Sequence, residues 1–287
     1  MAASNPTVAV ITPAFAAMGT LVTTVRSVLA QTYPHWELVI VSDDGVDYLR
    51  FLAEHGIADK RISQLSSGKV GGGASAARNL ALDAITAPYA AILDADDRLK
   101  PQKLERAVAA LEHHGIVTTA LDVMDEQFNH LRDVAAGPDG EMTPGAHKWV
   151  NVSMDSMIVW DRARADARYD LTMSNMTDLE LLLQLYRTVP ASFHLGTPLH
   201  DYIKRDGSMS NGEKTAAGMV ASKTTLLQRL GSGYYPLAPG GVEGMVDFLT
   251  VSLEAERHYG AALAAQPGLL FEDHLEPRLA AAKQAAP

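Results

Sequence analysis

Short apolar runs alternate with stretches of helical period along the first 115 residues. Thr7 to Thr12 (TVAVIT) is β-rich and stops at Pro13, which predicts a buried strand. Leu21 to Ala30 repeats apolar residues at helical spacing until Gln31 to Pro34 breaks it. Trp36 to Ser42 (WELVIVS) predicts the next strand, ending at Asp43-Asp44-Gly45. Tyr48 to His55 predicts a helix and Arg61 to Leu65 a third strand. Gly68 to Gly73 is a glycine-rich loop, Ala74 to Ala84 a strong helix former, and Tyr89 to Leu93 (YAAIL) a fourth strand. Asp94-Ala95-Asp96-Asp97 follows that strand directly. Pro101, at a favoured first-turn position, opens a helix from Gln102 to His113.

The alternation, with connections short enough for right-handed crossovers, predicts an α/β fold. Its sheet is mostly parallel and flanked by helices on both faces. Ligands of such sheets bind beyond the carboxyl ends of the strands. Three polar clusters sit at such ends: Pro13 onward, Asp43-Asp44, and Asp94 to Asp97. Loops drawn at random would not gather their short acidic clusters on one edge.

Beyond Ile116 the pattern weakens. Val117 to Met124 and Ser156 to Trp160 predict strands, and Phe128 to His147 a loop or irregular hairpin. Thr177 to Arg187 predicts an amphipathic helix capped by Thr177 or Asp178. Phe193 to Leu195 and Leu199 to Ile203 predict two short strands. From Gly218 the chain turns helical, with breaks at Gly231 to Gly241 and around Pro267.

Composition narrows the class. The chain has 287 residues, 47 % hydrophobic and 20 % charged, as in a globular protein with a full-sized core. A net charge of −10 argues against a nucleic-acid protein, but leaves room for a local basic pocket around one phosphorylated ligand. With no cysteine, thiolate nucleophiles, disulfides and cysteine metal sites are excluded. The N-terminus lacks a basic start, and Asn5 and Pro6 interrupt it, unlike a signal peptide. No apolar stretch is long enough to span a bilayer. These features predict a cytoplasmic protein, with peripheral membrane contact left open.

The acidic run carries the most chemistry. On an extended chain Asp94 and Asp96 would point the same way and converge on one ligand. Mg²⁺ or Mn²⁺ takes such oxygen donors together with substrate phosphates. An Asp-rich helix cap is the plainer alternative. Asp43-Asp44-Gly45, alone a strand-to-helix turn, becomes a candidate for nucleoside recognition beside the other strand ends. The segment Gly68 to Arg78 (GKVGGGASAAR) has neither Walker nor dinucleotide-fingerprint spacing. Its glycines allow close backbone approach, the next helix N-terminus favours an anion, and Arg78 suits a bidentate contact. Asp178 is a candidate general base with Glu180 as its rival, and an N-cap is the simpler role. Lys204, Arg205 and Ser208 to Ser210 could hold a diphosphate. Trp149 and Trp160 are candidates for sugar stacking, with core packing as the other role.

In order, VAVITPAF, SVLAQTYPHWELVIVSDDG, GGGASAARNLAL and YAAILDADDRLKPQKLE resemble the family 2 glycosyltransferases. The resemblance is close over roughly residues 7 to 112 and looser through TDLELLLQLY and YIKRDGSMS. It implies a GT-A fold over 1–216, with a nucleotide-binding half to about 115 and an acceptor half to about 216. Residues 217–287 would form a C-terminal helical extension, which could cover the site, form a homodimer or touch a membrane. It also implies inverting transfer from a nucleotide-sugar donor, usually UDP-linked, to a hydroxyl acceptor on a glycan, lipid-linked or small molecule. Pro13, Phe15 and Asp43 would flank base and ribose, with Asp44 beside them. Asp94 would hold ribose or a sugar hydroxyl, Asp96 would ligate Mn²⁺ or Mg²⁺, and Arg78 would lie near the donor. Asp178 matches the second position of the family's Glu-Asp pair and would be the base.

Three departures stand out. Thr177 replaces the usual Glu, Val46 replaces a serine after Asp-Asp-Gly, and Arg205 stands where many members carry histidine. Arg205 would then neutralise the diphosphate directly. A sugar-phosphate nucleotidyltransferase would carry a basic glycine-rich signature after the first strand, whereas this chain reads PAFAAMGT. A non-catalytic nucleotide-sugar-binding protein would have less need of both the Asp run and Asp178.

Overall fold

A computed structural model describes residues 5–205 and 213–285. The strands are β1 (Val8–Ala14), β2 (Trp36–Ser42), β3 (Ile62–Ser66), β4 (Tyr89–Ile92), β5 (Arg98–Leu99), β6 (Ile116–Met124), β7 (His130–Val134), β8 (Gly140–Met142), β9 (Ile158–Asp161) and β10 (Ser192–Ile203). The helices are α1 (Leu21–Leu29), α2 (Tyr48–Glu54), α3 (Ala74–Ala84), α4 (Lys103–Leu111), α5 (Thr177–Leu185), α6 (Glu213–Gly231), α7 (Gly241–Ala265) and α8 (Phe271–Ala285). One sheet runs β3-β2-β1-β4-β9-β6-β10-β5, with β7 paired to β6 and β8 to β10. The pairs among β3, β2, β1 and β4 are parallel, as predicted. Strand β9 enters antiparallel between β4 and β6.

Strand side chains alternate faces, and the burial follows that period of two. Val8, Val10, Leu38, Ile40 and Ala91 face a core shared with α1, α2 and α4. Ala9, Ile11, Val39, Val41, Ala90 and Ile92 face a second core shared with α3 and α5. Leu226, Leu230, Phe248, Leu249, Leu275 and Leu279, from α6 to α8, join that second core. Each such buried side chain contributes roughly 1.5–3 kcal/mol, so the C-terminal helices are packed wall rather than loose appendage.

Three sequence expectations need correction and a fourth gains detail. The two short strands after Phe193 are one, β10, with register shifts around Pro198, which cannot donate to the ladder. The region expected as a loop or irregular hairpin begins as one, with β7 returning antiparallel on β6 through a register shift, and continues through β8 and a 3₁₀ segment, Pro144–Trp149. Helix α4 starts at Lys103, past the turn that holds Pro101. Neither Thr177 nor Asp178 caps α5: the N-cap is Met176, in the left-handed region with no side-chain bond. Trp160 is fully buried in the second core, and Trp149 is half-buried beneath Lys148.

Candidate active site

The carboxyl ends of β1, β2 and β4 open into a cleft of about 1150 Å³. Pro13, Phe15, Asp43, Arg78, Asp94, Asp96, Asp178 and Arg205 all line it, so eight of the nine residues singled out from sequence for this site meet there. The ninth, Asp44, lies off the cleft. It accepts bonds from Ala16 N–H (2.7 Å), Tyr48 Oη (2.7 Å), Val46 N–H (3.1 Å) and Ser42 Oγ (3.2 Å). Partial burial raises its pKa, but these bonds outweigh burial and hold the carboxyl below the usual range. Asp44 thereby pins Ala16, a non-glycine residue at φ 50°, and fixes the loop that projects Phe15.

Asp43 is buried and grips the glycine loop. Its carboxylate accepts Gly72 N–H at 3.0 Å and Gly73 N–H at 2.8 Å. A Cβ on Gly72 would lie 3.1 Å from Asp43 Oδ1, and Gly73 sits at φ +98°, where side chains are strained. Those two amides are taken by protein, so the loop is neither a slack linker nor a nest with all its donors open to phosphate.

The acidic run is a turn, which corrects the extended-chain argument. Asp97 N–H closes onto Asp94 C=O at 3.1 Å, and Ala95 C=O accepts Thr20 Oγ1 and Thr24 Oγ1 from the start of α1 at 2.7 and 2.9 Å. Asp94 and Asp96 still face one cleft, because this anchored turn, not strand period, aims them. Asp97 turns inward, accepting Ile203 N–H at 2.9 Å and facing His200 Nε2 at 3.2 Å. Burial pushes the Asp97 carboxyl well up and the His200 imidazole down to about 3, so their contact is a hydrogen bond rather than an ion pair. Asp96 stays two-fifths exposed, with Arg205 Nε 3.6 Å from its Oδ2. Its pKa is pushed up to about 7, by burial first and then by Asp97 and Asp94, with Arg205 opposing.

Arg78 is buried, and the two terminal nitrogens of its guanidinium are held. One nitrogen lies 2.5 Å from Asp94 Oδ1 and the other 2.8 Å from Asp155 Oδ2. Burial would lower its pKa, but the Asp155 and Asp94 carboxylates raise it.

Asp178 is half-buried at the start of α5 and accepts Leu179 N–H at 2.8 Å. Burial, then the charge of Asp155, pushes its pKa up to about 7. The rival Glu180 is fully buried, holding Gln184 Nε2 at 2.6 Å and Tyr235 Oη at 2.9 Å, and does not line the cleft. Asp155, Lys223 and Glu256 also line the cleft and were not legible from sequence. Lys223 on α6 donates to Glu256 on α7 at 2.6 Å across 33 residues, a pairing no local pattern encodes. The stretch Ser208 to Ser210 lies outside the described residues.

Asp122, His130 and Asp133 can each bring one ligand atom within 4.8 Å of the others. They do not line the cleft, and Asp122 is already held by Lys100 and His130.

A sheet covered on both faces, with an anchored acidic turn at its carboxyl edge, defines the GT-A class of fold. TarS of S. aureus, residues 1–349 in complex with UDP-GlcNAc, matches 98 % of this chain and 82 % of its own at TM-score 0.68 and 16 % identity. Mannosyltransferase PcManGT from Pyrobaculum calidifontis, in complex with GDP-Man and Mn²⁺, matches 99 % and 80 % at TM-score 0.56 and 15 % identity. Residues 9–144 match the family model "Glycosyl transferase family 2". The putative teichuronic acid biosynthesis glycosyltransferase TuaG of Bacillus subtilis is 42 % identical over 103 residues, 36 % of this chain and 40 % of TuaG. WfgD of Escherichia coli, a UDP-Glc:alpha-D-GlcNAc-diphosphoundecaprenol beta-1,3-glucosyltransferase, is 36 % identical over 109 residues, 38 % of this chain and 42 % of WfgD. This chain thus spans about two-fifths of the length of those curated relatives. No helix among the described residues is long and apolar enough to cross a membrane.

Proposed function

We propose that this chain transfers a sugar, with inversion, from a UDP-linked donor to a hydroxyl acceptor. The carrying observation is that Asp96 and Asp178 line one cleft and are the two carboxyls there pushed to about 7 while half-open to it. Asp96 fits a hard cation: a half-exposed oxygen donor whose charge its acidic neighbours oppose. Mn²⁺ or Mg²⁺ bound there would stabilise negative charge on the departing diphosphate. Arg205, 3.6 Å from Asp96, is placed to share that role. Pro13, Phe15 and Asp43 flank base and ribose, and Asp94 meets ribose or sugar. Asp44 and Arg78 act from behind, by holding the loop and Asp94. Asp178 takes the proton from the acceptor hydroxyl. An in-line displacement needs no second carboxylate nucleophile.

The test is a thermal-shift screen of nucleotide sugars with and without Mn²⁺, followed by product analysis of each hit. Metal-dependent stabilisation by a UDP-sugar and UDP release on transfer are expected. Release of pyrophosphate from a nucleoside triphosphate would overturn the reading.

A further inference from the structure

The cleft holds a charged pair to which the mechanism above gives no task. Lys223 on α6 donates to Glu256 on α7 at 2.6 Å and to the Ser252 carbonyl at 3.4 Å. Both members of the pair line the cleft, although their side chains are only 1 % and 8 % exposed. The same ammonium lies 4.6 Å from the Phe271 ring centre, and Phe271 meets Tyr259 edge to face at 5.3 Å. Phe248, Ser252, Glu256 and Tyr259 follow one another at helical spacing, so one stripe of α7 faces the cleft. Taking two charges out of water is costly, and an apolar pair of similar volume is often as stable or more so. Packing alone therefore gives no reason for an ion pair on this wall.

The wall stands beside the base. Gly218 of α6 packs so closely on Asn175, three residues before Asp178, that a Cβ there would run into Asn175 Oδ1. Farther along α6, Arg229 binds Asp170 at 2.6 Å and reaches Glu180 of α5 at 3.5 Å. Helix α6 is thus fixed along the segment that carries Asp178, and it brings Lys223, and through it Glu256, to the same cleft.

We propose that the wall formed by α6, α7 and α8 is the acceptor subsite, and that it takes a neutral sugar ring whose hydroxyls donate to Glu256, with Lys223 fixing that carboxylate. The inference rests on the reading of this chain as a sugar transferase with Asp178 as base. At about 1150 Å³ the cleft is larger than the roughly 300–1,000 Å³ that holds one drug-sized ligand, so a second ring fits beside a nucleotide sugar. Among the described residues this wall brings one cation to the cleft, the paired Lys223, against the carboxylates of Glu256 and Glu272. A phosphate on the acceptor would meet net negative charge there, whereas a hydroxyl donates well to a carboxylate. Lys223 binds Oε2 of Glu256, and Oε1 of the carboxylate so fixed can accept from a ring hydroxyl. Tyr259 and Phe271 beside it offer apolar surface to the C–H face of the same ring.

The test is saturation-transfer NMR on the whole chain with Mn²⁺, with and without UDP. The neutral probes are methyl glucoside, methyl galactoside and methyl N-acetylglucosaminide, and the anionic probe is glycerol 3-phosphate. At least one pyranoside should bind, and with UDP present glycerol 3-phosphate should not. Lys223→Met combined with Glu256→Leu removes both charges at once and keeps the volume. It should weaken that pyranoside at least about ten-fold and leave UDP affinity, read by calorimetry, at the wild-type value. If the double variant does not fold, Glu256→Gln keeps the shape and should show the same selective loss. No pyranoside binding to wild type, preference of the UDP-loaded protein for glycerol 3-phosphate, or unchanged pyranoside affinity in a folded variant overturns the proposal. An equal loss of pyranoside and UDP overturns it too, since the pair would then be general support for the cleft. Pyranoside binding is read without donor as well, so its failure is distinct from failure of the functional reading, which falls if wild type binds no UDP-sugar.

Discussion

A base with a pKa near 7 leaves a signature in the pH dependence of the rate. For Asp178 at about 7, roughly a tenth of the free enzyme carries the carboxylate at pH 6 and roughly nine-tenths at pH 8. The kcat/KM for transfer should therefore rise about ten-fold over that interval and flatten above it. Two other carboxyls could contribute a limb. Asp97 points inward to Ile203 and His200, so it does not meet substrate. Asp96 is also raised to about 7, but saturating Mn²⁺ would displace its proton and remove its limb. The assay is UDP release coupled to acceptor consumption, from pH 5 to 9 at saturating Mn²⁺, for wild type and Asp178→Asn. The variant should lose about 10²–10⁴-fold in rate, together with the limb, and retain UDP binding. A wild-type limb centred near 4 would refute the reasoning about burial. A limb that survives in Asp178→Asn would assign the proton to another group.

Mn²⁺ affinity should weaken about ten-fold per pH unit below 7, because the ion must displace the proton that burial and Asp97 hold on Asp96; calorimetry at pH 6 and 8 checks this, and pH-independent binding would remove Asp96 as a ligand. Glu180→Gln should lower stability by about 1–3 kcal/mol, since it disturbs the bonds to Gln184 and Tyr235, and should leave the pH limb in place; a lost limb would make Glu180 the base. Gly244→Ala puts a Cβ 2.3 Å from the Gly145 carbonyl oxygen, which is backbone and cannot yield, so melting curves should show a loss of about 1–3 kcal/mol. Gly260→Ala, in the same helix but with open space around it, should gain up to about 1 kcal/mol, and equal effects at the two sites would contradict the packing of α7 on the 3₁₀ segment.

The N-terminal half was legible because its signal is periodic. Val8 to Ile11 and Leu38 to Val41 alternate between two cores, and buried parallel strands covered on both faces read as short unbroken apolar runs. The acidic turn was legible as residues but not as geometry. What aims it is Thr20 and Thr24, two hydroxyls more than 70 residues away that look like ordinary helix-start residues. Strand β10 was misread as two because Gly196 to Pro198 punctuates it, whereas the partner β6 keeps it one strand through two register shifts. Asp155 gave no signal: it sits in a short 3₁₀ turn with no period, and its partners come from α3 and from the segment before α5. The packing of α6 to α8 into the second core depends on side-chain contacts across the fold, which composition does not report.

The acidic residues of this edge sort by what already compensates them. Asp44 has four hydrogen-bond donors, Asp43 two loop amides, and Asp97 a strand amide and a neutral imidazole. Glu180 has a tyrosine hydroxyl and a glutamine amide, and Asp94 and Asp155 share Arg78. Among the described residues, Asp96 has an arginine at 3.6 Å, and Asp178 has the adjacent Leu179 amide and the charge of Arg78 against the opposing charge of Asp155. Asp96 and Asp178 are, among the described residues, the two carboxyls that stay half-open to one cleft with pKa values pushed up to about 7, a state that suits uptake of a cation or a proton. In the proposed reaction those are the two species that inverting transfer would place on opposite sides of the anomeric carbon.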